Sequence, residues 1–236
     1  MRRIWAEGLG LLDMYGLIFD IHGVLVDSNP ARAQAWIEAS KQLGFAVDTT
    51  LVKSLTGTSP NALLIQAIGL GINTPEGRAV FERYNQIFER RYLPRIIAQF
   101  RARELVDTLR RINLKLAVVS VDPSSTLLKL LQIGDCESLY QTTTEAERQI
   151  GLHSDRDLLK NASQRIGCPP NTTLFVTSSE SQCLAAKQLN IATIAINPSA
   201  WSAQGRSIAE KCYDTTADFA ENWNSSPIMM LGRTGN

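Results

Sequence analysis

The sequence predicts an α/β fold: a doubly wound parallel sheet carrying an inserted α-helical unit. Three observations point there. An apolar run, Tyr15–Phe19, delivers Asp20 to a glycine turn. A carboxylate is thereby set outside the carboxyl end of a strand, where open α/β sheets keep their chemistry. Residues 30–98 carry helical periodicity almost throughout, and from Glu104 short apolar runs alternate with amphipathic ones. Such alternation implies parallel strands joined by right-handed crossovers.

The first strand is expected at Tyr15–Ile21. Asn29-Pro30 then opens a helix, because proline's fixed φ and missing N–H suit a first turn. Ala33, Trp36, Ile37 and Leu43, followed by Val47, mark its apolar face, and it closes near Gly44. Ser59-Pro60 opens another helix through Ala62, Leu63, Ile65, Gln66 and Ile68 to Gly69 or Gly71. Thr74-Pro75-Glu76 opens a long third, through Val80, Phe81, Tyr84, Ile87, Phe88 and Tyr92. Leu114–Val119 is a dense apolar strand, followed by a helix over Pro123–Leu131 and a short strand at Ser138–Gln141. The remaining alternation is helix Asp155–Ile166, strand Asn171–Val176, helix Glu180–Leu189 and strand Ile191–Ile196. Gly167-Cys168-Pro169-Pro170 and Asn197-Pro198 are turns. The expected organisation is a core from 14–28 and 99–223, a helical insert over 29–98, an N-terminal extension over 1–13 and a flexible tail over 224–236.

Composition narrows the function classes. A chain of 236 residues, 44% hydrophobic and 20% charged, can bury one medium core plus an insert. A net charge of +1 supplies no general attraction for nucleic acid or an acidic membrane. No apolar run approaches the roughly 20 residues of a membrane span, and Glu7 and Asp13 interrupt the segment after Met1-Arg2-Arg3, so no signal peptide is expected. Cys136, Cys168, Cys183 and Cys212 are too dispersed for a zinc site and suit reduced thiols. A cytoplasmic protein without nucleic-acid partners is expected.

Phe19-Asp20-Ile21-His22-Gly23-Val24-Leu25-Val26-Asp27-Ser28 resembles the nucleophile motif of the haloacid dehalogenase (HAD) superfamily, Asp-x-Asp-Gly-Val-Leu-x-Asp-Ser. Leu116-Ala117-Val118-Val119-Ser120 resembles its second motif. Leu174-Phe175-Val176 with Cys183-Leu184-Ala185-Ala186-Lys187 resembles the frame of its fourth. The resemblance covers roughly residues 14–220, within the β-phosphoglucomutase and phosphoglycolate-phosphatase branch. It implies a Rossmann-like HAD core with an α-helical cap, an aspartyl nucleophile at Asp20, and a phosphate-binding hydroxyl at Ser120. Gly23 and Ser178 would line the substrate position.

Several family positions are changed. The general acid is His22, the third-motif lysine is Leu152 in Gly151-Leu152-His153, and both metal-supporting aspartates are replaced, by Ser178 and Gln182. Mg²⁺ is usually held by one or two carboxylates plus substrate phosphate, so Asp20 alone would make a weak site. Unaided, its carboxylate must approach a phosphate dianion at about 4 kcal/mol per charge pair, for a pair 4 Å apart at an effective dielectric near 20. Doubled for the dianion, that is a rate penalty of roughly 10⁵–10⁶. Asp20 then reads as a relic at a strand end and His22 as a vestigial or altered acid. Glu180 reads as a carboxylate at a helix N-terminus, and His153 as a loop residue. Arg90, Arg91, Arg95, Arg101 and Arg103 read as a solvated face, and Met229-Met230-Leu231 as part of a disordered end.

The first functional reading is a catalytically degenerate HAD homologue with no metal or other cofactor, kept to bind a protein partner. A metal-independent hydrolase resembling the 2-haloacid dehalogenases is the second, since Thr177-Ser178-Ser179 is similar to their fourth motif. A divergent Mg²⁺-dependent phosphatase or phosphomutase is the third. Small-molecule phosphates or haloacids are substrates only under these alternatives.

Overall fold

The computed structural model describes residues 15–112, 114–142 and 154–228. The extension before residue 15, Gly151-Leu152-His153 and Met229-Met230-Leu231 lie outside the described residues. Five parallel strands form one sheet in the order β2-β1-β3-β4-β5: β1 Gly16–Asp20, β2 Lys115–Val119, β3 Thr173–Thr177, β4 Ala192–Ile196 and β5 Lys211–Tyr213. The order reverses around β1, which opens a crevice at the carboxyl edge between diverging loops. Asp20 is in register with Val119, and Phe19 with Val176, so the loops after three strands start at one level.

Both faces of the sheet are covered, which explains why its central strands read as continuous apolar runs. Leu17, Phe19, Val118, Leu174, Val176, Ile194 and Ile196 belong to one apolar cluster. It is completed by Leu105 and Leu109 of α5 (Ala102–Arg111), Leu127 and Leu130 of α6 (Ser124–Ile133) and Phe219 of α10 (Thr216–Asn222). Ile18, Ala117, Val119 and Phe175 alternate onto the other face. There they meet Leu158 and Leu159 of α7 (Asp155–Arg165) and Ala185 and Ala186 of α8 (Glu180–Gln188).

Between β1 and β2 lies the helical cap: α1 Asn29–Gln42, α2 Thr49–Leu55, α3 Pro60–Ile68 and α4 Pro75–Ile87. Asp48, Ser59 and Thr74 accept backbone N–H bonds at the starts of α2, α3 and α4. Trp36 of α1 stacks on Tyr84 of α4 with centroids 4.0 Å apart, and Tyr84 stacks in turn near Phe88. The cap leaves and rejoins the core side by side. Asp27 N–H donates to Ile97 C=O at 2.9 Å and Gln99 N–H to Leu25 C=O at 2.9 Å, around an antiparallel bridge between Val26 and Ala98.

Four differences from expectation have local causes. Ser138–Gln141 is part of a 3-10 helix, Glu137–Thr142, rather than a strand. Leu139 N–H bonds back to Cys136 C=O at 2.9 Å while its side chain is buried, so this segment satisfies its backbone locally instead of extending the sheet. The helix expected to run through Tyr92 changes to a π-helix over Phe88–Tyr92. The short elements α2, α9 (Ala203–Ile208), β5 and α10 have too few apolar repeats to declare a period. Finally, packing continues past 223 into the expected flexible tail: Trp223–Ser225 is a 3-10 helix, and Ile228 is fully buried in the main cluster.

Among the described residues no helix is long and apolar enough to cross a membrane. All four cysteines are unpaired.

Candidate active site at the carboxyl edge of the sheet

Asp20 closes β1 and is only 2% exposed. Its carboxylate accepts a long bond, 3.4 Å, from the backbone N–H of His22. Burial pushes its pKa up to about 7, against the lowering influence of Arg32 and of that N–H. Gly23 follows with φ +73°, and a Cβ there would collide with Asn29 and with the Ser178 hydroxyl. The glycine of the motif is thus demanded by both conformation and space.

His22 is clamped at both ring nitrogens. Nδ1 lies 2.7 Å from Ser28 Oγ and Nε2 2.5 Å from Asp122 Oδ2. Burial first, and then the nearby Arg32, lowers the pKa of His22, so the ring is neutral at pH 7. The network then assigns the tautomer: Nε2–H donates to Asp122, and Nδ1 accepts the Ser28 hydroxyl. Ser120 Oγ also donates to Asp122 Oδ2, at 2.5 Å. Burial would raise the Asp122 carboxyl, but His22, Arg32 and Ser120 overcome it and hold the pKa well below the usual range.

Arg32 supplies the positive charge. It projects from the first turns of α1, is 4% exposed, and its Nε donates to Tyr84 Oη at 3.3 Å. Burial opposes its charge, yet Tyr84, Asp122 and Asp20 more than compensate and raise its pKa. Asp155 at the start of α7 is the third carboxyl that feels Arg32. Burial pushes the Asp155 pKa up to about 6, and its Oδ1 has no hydrogen-bond partner among the described residues.

The fourth-motif positions are committed elsewhere. Ser178 Oγ donates to the His22 carbonyl at 2.8 Å and accepts from Asn29 Nδ2 at 3.0 Å. Gln182 Oε1 accepts the Thr177 hydroxyl at 2.6 Å. Glu180 accepts from Ser202 N–H at 2.9 Å and from the Ser202 hydroxyl, which ties it to the start of α9. A Mg²⁺ site does not fit these residues. Where carboxylate oxygens are needed stand a hydroxyl and an amide, each already bonded, with a guanidinium among the neighbouring carboxyls. Among the described residues no group of three or more His, Cys, Asp or Glu is disposed to hold a metal ion.

The sequence-derived residues therefore divide. Asp20, His22 and Ser120 come together in one buried cluster. Gly23 and Ser178 instead line an adjacent cleft of about 880 Å³ between cap and core, and Asp20, His22 and Ser120 are absent from its lining. Sequence reasoning missed Arg32, Tyr84, Asp122 and Asp155. Two signals were present: Asp122 stands two residues beyond a strand-end serine, and Arg32 shares a helical face with the apolar Ala35, Trp36 and Ala39. Several arginines of the proposed solvated face pair locally, Arg91 with Glu38 at 2.9 Å and Arg101 with Glu104 at 2.6 Å.

The fold and this site define a capped α/β hydrolase-type protein with its key carboxylate at the end of the first strand. The family model for haloacid dehalogenase-like hydrolases matches residues 17–196, and the chain belongs to that family. Among solved structures it is similar to a hydrolase from Pseudomonas syringae, at 23% identity and TM-score 0.78 over 89% of this chain and 98% of the other. It is similar also to a proposed β-phosphoglucomutase from Bacteroides vulgatus, at 18% identity and TM-score 0.76 over 99% and 100% of the two chains. A third likeness is a HAD family hydrolase from Deinococcus radiodurans with bound phosphate and sodium, at 19% identity and TM-score 0.63 over 92% and 98%. At these identities the structural likeness speaks for the fold alone. No curated protein matches the sequence.

Proposed function

We propose that this protein is a catalytically silent HAD homologue, kept for binding rather than for phosphoryl transfer. One observation carries the reading: the Asp20 carboxyl is 2% exposed and shares its enclosure with the buried Arg32 guanidinium. An internal arginine balances the carboxylates where a phosphatase of this family would use a metal. Burial raises the Asp20 pKa to about 7 and so favours the protonated form, which cannot attack phosphorus. The histidine at the acid position has both nitrogens engaged, with no hydrogen bond left for a leaving group. Each element of the reaction is absent or occupied, while the apolar framework of the fold is complete.

The test is a phosphate-ester panel with Mg²⁺, run on the wild type and on Asp20→Asn. No turnover above the Asp20→Asn background is expected; turnover abolished by that substitution would overturn the reading. Arg32 is the observation that supports the metal-free alternative, since a fixed cation beside Asp20 could balance a substrate carboxylate. Halide release from 2-haloacids, lost in Asp20→Asn, would decide for that alternative.

A further inference from the structure

Where the cap rejoins the core, two apolar side chains stand out into solvent. Phe100 is 77% exposed and Ile97 65%, the highest values among the large hydrophobic side chains described, and Ala98 between them is exposed as well. Lone apolar side chains on a surface are ordinary, whereas neighbouring ones mark contact sites. Local geometry holds both outward. Ile96, immediately before Ile97, is buried, so Arg95 and Ile97 face out together. Phe100 stands at the corner of a turn that the Ala102 N–H closes on the Gln99 C=O at 3.1 Å. The next residue, Arg101, takes φ +64°, a conformation that glycine adopts more readily. Ion pairs to Glu104 at 2.6 Å and to Glu221 at 2.5 Å hold Arg101 there.

The remaining charges of this patch are self-complementary. Arg95 precedes Ile97 along the chain. Asp27 lies opposite Ile97 beside the antiparallel bridge of Val26 and Ala98, with its N–H bonded to the Ile97 C=O at 2.9 Å. Residues opposite each other in such a pair point to one face. Asp27 and Arg95 are both exposed, and among the described residues neither side chain has an ion pair or a hydrogen bond. One cation and one anion therefore flank the apolar pair, which favours neither a uniformly acidic nor a uniformly basic partner. A two-fold axis sets such a patch against itself, so that each pairing occurs twice. Asp27 of one protomer then meets Arg95 of the partner subunit, and Arg95 meets the partner's Asp27, with Ile97 and Phe100 packed between.

We propose that this patch is the contact of a two-fold homodimer, a second copy of the chain seated on Ile97 and Phe100. The contact uses none of the Asp20 cluster, so it adds self-association to the binding role whatever the chemistry at Asp20. Sedimentation velocity on the full chain tests it. A reversible dimer in the micromolar range is expected. Phe100→Ser should weaken it roughly tenfold, and Ile97→Ser gives a second reading at another exposed position. Asp27→Arg and Arg95→Asp should each weaken it about fivefold, because like charges then face each other across the axis. An equal mixture of those two variants should regain the wild-type affinity, since opposite charges again meet at both ends of the contact. A wild type that stays monomeric at millimolar concentration would overturn the proposal. So would a dimer untouched by Phe100→Ser and Ile97→Ser, or a mixture of the charge variants that does not associate. Monomers that bind phosphatidylserine vesicles through Phe100 would give the patch to a lipid surface instead and defeat the dimer.

Discussion

Two regions meet at the carboxyl edge of the sheet, and they treat polar groups in opposite ways. The Asp20 cluster couples three carboxyls and a histidine to one buried arginine. The neighbouring cleft keeps mostly uncharged hydroxyls and amides beside solvent. Motif residues split between the two: Asp20, His22 and Ser120 are internal, whereas Gly23 and Ser178 face the cleft. The nucleophile position is buried, whereas the cleft beside it is open.

Breaking the internal balance should have the largest effects. Arg32→Met leaves Asp122 buried without its cation and should cost about 3 kcal/mol in urea denaturation. A loss under 1 kcal/mol would mean that the guanidinium is solvated and does not balance Asp122.

Asp20→Asn should act in the opposite direction and depend on pH. The folded pKa near 7 stands above the ordinary 3.8, so the folded state holds the proton more tightly and stability falls as pH rises through that window. At pH 8 the variant should be more stable than the wild type by up to about 4 kcal/mol, from 1.36 kcal/mol per unit. The gain should vanish near pH 4. Asp155, raised to about 6, has the same sign. His22 has the opposite sign: its lowered pKa makes its contribution present above 6.5 and lost as pH falls below it. Equal stability of wild type and Asp20→Asn at pH 8 would show Asp20 to be hydrated, as an accessible nucleophile would be.

His22→Gln should cost about 2 kcal/mol, because an amide cannot serve both Ser28 and Asp122 and leaves one unpaired. The smallest effect belongs to the cleft. Thr58→Val removes a hydroxyl from a half-buried position and should change the melting temperature by only a few degrees. A large loss of stability there would make the cleft wall structural and erase the contrast.

The fold was legible because its signals are periodic. Leu17, Phe19, Val118 and Val176 belong to strands buried on both faces, and Pro30, Pro60 and Pro75 each sit in a helix's first turn. The short 3-10 segment at Leu139 misled because a brief run with one buried apolar side chain is too short to declare a period. At the site, the motif located Asp20, and the losses at Ser178 and Gln182 were readable directly. Tyr84 and Asp155 were not, since they come from elements far away in the chain, and Arg32 showed only as a charged residue on an apolar helix face. Their meeting depends on how the cap packs against the core, which no local spacing encodes. His22 reads from the sequence as a vestigial or altered acid, whereas its contacts with Ser28 and Asp122 make it a keystone of the cluster.

The paired crossing at Val26 and Ala98 has an evolutionary and a thermodynamic side. Because the insert begins and ends at neighbouring residues, the chain could exchange it for another without disturbing strand order. Its apolar side chains, however, are continuous with the core: Trp36, Phe81 and Tyr84 share one cluster with Leu17 and Leu174. The cap is portable as a piece of chain and inseparable as a piece of core, so the two should melt together in a single calorimetric transition.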